Sequence, residues 1–290
     1  MPPRFITALQ LRDRLATGTP TVLLDVRHLV GTDRQRGAYD AGHIPGAVYV
    51  ELRDELAGPP SPGRGGRNPL PTAQVLQSNL RRWGVAADLP VVVYAGAGQP
   101  AAGRAWWVLT WAGVPGVRIL AGGYEAWVDA GLPVSTATPV PTPTTFTIRP
   151  GCLREVALGE VPAHALRGQL VDVRPHADFD QGHIPNAINL PYTDLTDAAG
   201  LPLPARRLHA LLAERGVDPG DTVALTCGGG VAAAWSAALF DEAGIRTALH
   251  VGSWSEWVAH NPVPRQQFTA SCEPALNPPS GPAPPATGTA

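Results

Sequence analysis

The chain of 290 residues is 44% hydrophobic and 16% charged, with 32 glycines and 32 prolines, which excludes a disordered chain or a coiled coil and suits two globular domains. Its 22 basic and 24 acidic residues leave a net charge of −2, giving no electrostatic reason to expect nucleic acid or an anionic membrane as partner. Every basic residue is arginine, so Schiff-base, pyridoxal phosphate and P-loop lysine chemistries have no residue to carry them.

Residues 1–18 carry charges every few positions and no continuous apolar core, so they do not read as a signal peptide. No later stretch is apolar over the roughly 20 residues a membrane span needs, and the expected location is the cytoplasm. A first strand is predicted at Val22–Arg27 (VLLDVR), followed by a turn at Ala41–Ala47 (AGHIPGA) and helical spacing over Ala73–Trp83. A second strand, Val91–Ala95 (VVVYA), leads through WAGV at Trp111–Val114 to GGYEAW at Gly122–Trp127. Prolines 139, 141 and 143 among threonines then mark an extended linker.

The same signals recur in the same order beyond it: LVDVR at Leu170–Arg174, QGHIPNA at Gln181–Ala187 and helical spacing at Leu208–Gly216. They continue with VALTC at Val223–Cys227, EAGI at Glu242–Ile245 and GSWSEW at Gly252–Trp257. The chain is a tandem repeat of short Val/Leu strands alternating with helices, which predicts two α/β domains, each a mostly parallel sheet flanked by helices on both faces. Gly84, Gly113, Gly216 and Gly244 end helical stretches and are expected to take left-handed backbone there. The expected division is residues 1–135, a linker over 136–149, residues 150–270, and a disordered Pro-rich tail over 271–290.

The chemistry concentrates where the strand ending at Cys227 meets Gly228, Gly229 and Gly230 and then an alanine-rich helix beginning Val231, Ala232, Ala233. Ligands of open α/β sheets sit beyond the carboxyl ends of the strands, which is where chain order puts this thiol. Three glycines let successive backbone N–H groups turn inward, and the helix's first turn adds unpaired donors and the positive end of its dipole. Such a cup stabilises anionic sulfur without a neighbouring base. The first repeat has Ala95 at the equivalent place, followed by Gly96 to Pro100, so 1–135 reads as inactive and 150–270 as catalytic. Cys152 and Cys272 lie at the edges of linker and tail and are given no role; no CxxC pair or His cluster suggests a metal, and no cofactor is expected.

The chain resembles the tandem-domain rhodanese family, the sulfurtransferases that include thiosulfate and 3-mercaptopyruvate sulfurtransferases. The resemblance rests on GHIP at Gly42–Pro45 and Gly182–Pro185, GGRNPLP at Gly65–Pro71, RAWW at Arg104–Trp107, CGGGVAA at Cys227–Ala233 and GSWSEW at Gly252–Trp257. It implies that Cys227 takes a sulfane sulfur as a persulfide and passes it to a thiophilic acceptor such as cyanide, a small thiol or thioredoxin. It also implies that Arg174 contacts an anionic donor, although an ion pair with a neighbouring carboxylate is the competing expectation. Trp254 is expected to wall the pocket, while His43, His183, Asp25 and Asp172 are expected to fix loops.

Thiosulfate enzymes of the family tend to carry Arg and Lys after the cysteine, and mercaptopyruvate enzymes Gly and Ser; Gly228 and Gly229 match neither fully. The absent hydroxyl and the lack of a second arginine between Arg174 and His183 favour thiosulfate over 3-mercaptopyruvate. Two rivals are set against this: a non-catalytic sulfur-binding or regulatory tandem, against which Cys227 argues, and a cysteine phosphatase, which needs an arginine where Ala233 stands.

Overall fold

The computed structural model describes residues 3–28 and 35–261; the expected tail and Cys272 lie outside them. The first domain comprises, in chain order, β1 (Phe5–Ile6), α1 (Ala8–Ala16), β2 (Val22–Asp25), α2 (Gln35–Ala41), β3 (Val48–Tyr49), α3 (Leu52–Glu55), α4 (Ala73–Arg82), β4 (Val91–Tyr94), α5 (Ala101–Trp111), β5 (Arg118–Leu120) and α6 (Gly123–Asp129). The second comprises α7 (Val161–Leu166), β6 (Leu170–Asp172), α8 (His176–Asp180), β7 (Ile188–Asn189), α9 (Ala205–Ala213), β8 (Val223–Thr226), α10 (Val231–Glu242), β9 (Thr247–Leu249) and α11 (Ser253–His260).

The strands form two wholly parallel sheets, ordered β1-β5-β4-β2-β3 and β7-β6-β8-β9. Every residue of β2, β4 and β8 is buried, as strands covered by helices on both faces must be. The second sheet has no counterpart of β1 as a full strand; Glu155 bridges Leu249 instead, with Val156 N–H donating to the Leu249 carbonyl at 2.9 Å. Register sets Asp25 beside Tyr94 and Asp172 beside Thr226, so each DVR segment leaves its sheet level with the strand that carries the following loop. Gly84, Gly113, Gly216 and Gly244 all have φ between +77° and +83°, closing their helices as expected.

Residues 136–149 form no helix or strand but lie against the first domain. Arg81 Nε donates to the Phe146 carbonyl at 2.8 Å, and Arg149 N–H to that of Ala112 at 2.8 Å. The two domains meet along α5 and α10, both buried nearly all round. A Cβ on Gly103 would fall 2.3 Å from Trp235 Cα, so only glycine admits this approach of the two helix backbones. One hydrophobic core runs across the seam, joining Val93, Trp106 and Trp107 to Leu225, Trp235 and Phe240.

Candidate active site

β8 delivers Cys227 at its carboxyl end. The Cys227 carbonyl accepts from Trp254 N–H at 2.9 Å, the Gly228 carbonyl from Ser255 N–H at 3.2 Å, and the Gly229 carbonyl from Asn68 Nδ2 at 2.8 Å. A trans peptide points its N–H opposite its C=O, so turning three consecutive carbonyls onto these partners aims the N–H groups of Gly228, Gly229 and Gly230 the other way. Gly230 N–H reaches Cys227 Sγ at 3.1 Å. Gly230 caps α10 at φ +79°, where a Cβ would come 2.3 Å from the Val251 carbonyl oxygen; no other residue fits. Among the described residues Gly230 supplies the backbone donor to the sulfur, while Gly228, Gly229, Val231 and Ala232 line the cavity above it and Ala233 is buried in the core.

Ser253 closes the site from beneath. Its Oγ accepts Cys227 N–H at 3.1 Å, donates to the His250 carbonyl at 2.9 Å and lies 3.8 Å from Cys227 Sγ. It holds φ +53° although it is not glycine, strain of the kind that persists where surrounding structure enforces it. Behind it, buried His250 Nε2 meets Glu256 Oε2 at 3.1 Å, and Gly65 N–H donates to Glu256 Oε1 at 2.6 Å. The His250 hydrogen bond chiefly, then the Gly65 one, hold the Glu256 carboxyl below its usual range against the upward pull of burial.

Cys227 is only 3% exposed, yet it borders a cavity of about 1020 Å³ between the domains, large enough for a small-molecule site. The first domain forms the facing wall. Asn68 grips the loop through the Gly229 carbonyl; Arg67 N–H bonds Ser255 Oγ at 3.0 Å, and the Arg67 guanidinium is exposed to the cavity. Arg67 Nη2 lies 2.8 Å from where a Gly228 Cβ would sit, and Asn68 Nδ2 3.0 Å from that of Gly229, so those two glycines leave room for the partner domain. Neither Arg67 nor Asn68 stands out in the sequence as a site residue, because both lie in the repeat that lacks the thiol. The GGRNPLP motif is the available signal.

Arg174 stands both at the cavity and in an ion pair. It borders the cavity, but it is 6% exposed and forked onto Asp172, with Nε at 3.0 and 2.9 Å from the two carboxylate oxygens and Nη2 at 2.6 Å. Nη2 also donates to the Gly182 carbonyl and Nη1 to that of Asp178. Arg27 forks onto Asp25 and the Gly42 carbonyl in the same way in the thiol-free domain, so the ion-pair expectation is the one the geometry matches. Trp254 is not among the residues that line the cavity, and its ring lies under the Arg174 guanidinium at 4.8 Å. The loop-fixing expectations hold, since His43 Nδ1 and His183 Nδ1 lie 2.9 and 3.0 Å from the carbonyls of Tyr39 and Phe179, and Asp25 and Asp172 accept the N–H groups of Arg27 and Arg174.

Comparison with known proteins agrees with this architecture. The rhodanese-like domain model matches residues 7–130 and again 159–260. The chain is 39% identical to the protein named "Putative thiosulfate sulfurtransferase SseB" of Mycobacterium tuberculosis, over 87% of this chain and 93% of that one. It is 32% identical to the 3-mercaptopyruvate sulfurtransferase of Escherichia coli K12, over 78% of this chain and 84% of that one. The crystal structure of SseA, a 3-mercaptopyruvate sulfotransferase from Escherichia coli, superposes with a TM-score of 0.77 at 27% identity, covering 87% of this chain and 99% of that one.

Proposed function

Because the chain belongs to the rhodanese family and is a sulfurtransferase, we propose that it carries sulfane sulfur as a persulfide on Cys227, from thiosulfate in preference to 3-mercaptopyruvate, to an acceptor such as cyanide, a small thiol or thioredoxin. The Cys227 thiolate attacks the outer sulfur of thiosulfate. A new S–S bond forms, the donor's S–S bond breaks, and its electron pair leaves with sulfite. Cyanide or a thiolate then attacks the terminal sulfur, and the Cys227 thiolate is the leaving group. In this reading residues 1–135 form an inactive unit and 150–270 the catalytic one.

The observation that carries the reading is the Gly230 N–H at 3.1 Å from the sulfur, at a thiol opening into the interdomain cavity. A preorganised amide stabilises the resting Cys227 thiolate without reorganisation, as oxyanion donors do. The exposed Arg67 guanidinium suits the donor's sulfonate better than Arg174. Sulfite departs without needing a proton, whereas the pyruvate enolate needs one; residues 228–233 carry no hydroxyl, and that of Ser253, 3.8 Å from Cys227 Sγ, is donated to the His250 carbonyl. The name and 32% identity of the Escherichia coli relative support 3-mercaptopyruvate as the second reading. A non-catalytic sulfur-binding module is the third, and it loads sulfur without turnover. Among the described residues no helix is long and apolar enough to cross a membrane.

Mass spectrometry after incubation with thiosulfate is expected to find one added sulfur atom on the wild type, lost on treatment with cyanide, and none on Cys227→Ala. Sulfur on Cys152 or Cys272 instead overturns the assignment. Steady-state rates with thiosulfate and 3-mercaptopyruvate side by side decide the donor, and a higher kcat/KM for 3-mercaptopyruvate overturns the preference.

A further inference from the structure

Arg104 stands one turn into α5 and is wholly buried. Its Nε and Nη2 donate to the Leu56 carbonyl, each at 3.3 Å, and Nη2 also reaches the carbonyls of Asn68 at 2.9 Å and Pro69 at 3.3 Å. Every acceptor is a neutral carbonyl, and Nη1 has no hydrogen-bond partner among the described residues. A buried guanidinium whose hydrogen bonds all go to neutral carbonyls carries a desolvation cost that a nearby anion offsets. Nη1 lies 3.3 Å from where a Gly230 Cβ would sit, against the residue whose N–H holds the Cys227 sulfur. Burial pushes the Arg104 pKa down to about 10, and the Cys227 sulfur is the foremost group resisting that fall, ahead of Glu155.

Of the other charged groups, Arg174 is paired with Asp172, His250 with Glu256 behind Ser253, and Glu155 accepts from Trp111 Nε1. Arg67, Arg53, Asp54, Asp178 and His28, the last of them 3.8 Å from Glu51, line the cavity.

We propose that Arg104 is the counter-charge of the Cys227 sulfur anion: a positioning residue, supplied by the domain without a nucleophile, that favours the thiolate and the terminal persulfide through the glycine loop without touching the donor. Its Nη2 hydrogen bond to the Asn68 carbonyl steadies the same residue whose side chain grips Gly229, so one guanidinium both charges the cup and braces it. The proposal rests on the Cys227 reading above.

The test is the rate of Cys227 alkylation by neutral iodoacetamide from pH 6 to pH 10. Arg104→Gln, which keeps a donor but not the charge, is expected to slow alkylation about tenfold at pH 7 and to match wild type at pH 10, while Arg104→Lys stays within about threefold of wild type throughout. A purely structural role predicts a slowing that is the same at every pH, and that result, or an unchanged Gln profile, overturns the proposal. If the variants do not fold, the unsubstituted chain is compared with Cys227→Ser by thermal melting from pH 5 to 9. An anion stabilised in the fold makes the wild type gain on the serine variant as pH rises, and a flat difference overturns the proposal. Sulfur loading by thiosulfate is measured on the same wild-type sample: no sulfur on Cys227 sinks the nucleophile reading, whereas loading with an unmoved Gln profile sinks this inference alone.

Discussion

The strand-to-helix junctions of the two domains share a frame. The Ala95 carbonyl accepts Tyr124 N–H at 2.8 Å, just as the Cys227 carbonyl accepts Trp254 N–H at 2.9 Å. They part over the loop amides. In the first domain Gln99 Oε1 takes Gly96 N–H at 3.2 Å and Glu125 Oε2 takes Ala97 N–H at 2.6 Å; in the second, Gly230 N–H goes to sulfur. At the residue after the next glycine, Gly123 has φ +64° and Ser253 φ +53°. Glycine accepts that backbone at no cost, whereas serine is strained by roughly 1–3 kcal/mol, and the second domain keeps the serine because its hydroxyl bonds Cys227 N–H. The same fold turns a loop amide onto sulfur in one domain and caps its loop amides with side chains of its own in the other.

The strongest way to break this comparison is to move the thiol. Ala95→Cys in a Cys227→Ala background is expected to take up no sulfur from thiosulfate by mass spectrometry, since side chains of that domain already engage the first two amides of its loop, Gly96 and Ala97. Loading at the introduced thiol would show that those side chains are irrelevant. Next in size are Arg27→Ala and Arg174→Ala, each of which strands a fully buried aspartate. Both are expected to destabilise the chain by roughly 3–5 kcal/mol in denaturant melts, and folded Arg174→Ala should keep its KM for thiosulfate. A raised KM would return Arg174 to the donor site.

Arg67→Ala carries a smaller effect: KM for thiosulfate rises about tenfold, the equivalent of one charge-assisted hydrogen bond, while iodoacetamide still alkylates Cys227 at the wild-type rate. The smallest concerns Glu256. Its carboxyl titrates lower in the fold than in the unfolded chain, so its stabilisation is complete above the ordinary value of 4.5 and fades as pH falls further. The melting-temperature advantage of wild type over Glu256→Gln should therefore be widest near neutrality and narrow below that value.

Much of this was legible from residue order. The duplicated DVR and GHIP signals imply two sheets of one design, and CGGG between a buried strand and an alanine-rich helix implies a thiol at the sheet's carboxyl end. Arg174 was half legible: two residues apart along an extended segment, Asp172 and Arg174 project to the same side, so a guanidinium folded back onto its own strand was the economical expectation. Arg67, Asn68 and Arg104 were not legible as site residues, because their roles depend on how the domains dock. That docking is set by Gly103 against Trp235, a contact between residues far apart in the chain that no local periodicity announces.

The Gly103 contact also bears on how the molecule comes apart. A joint in which helix backbones touch and a common core runs through offers no hinge, so solutes must thread the mouth of the cleft rather than wait for the halves to swing open. Severing the chain within 136–149 would not liberate two autonomous modules, because each would bare an almost wholly apolar helix to water. The half without the thiol serves as a folding partner, and heat should melt the pair in a single cooperative transition.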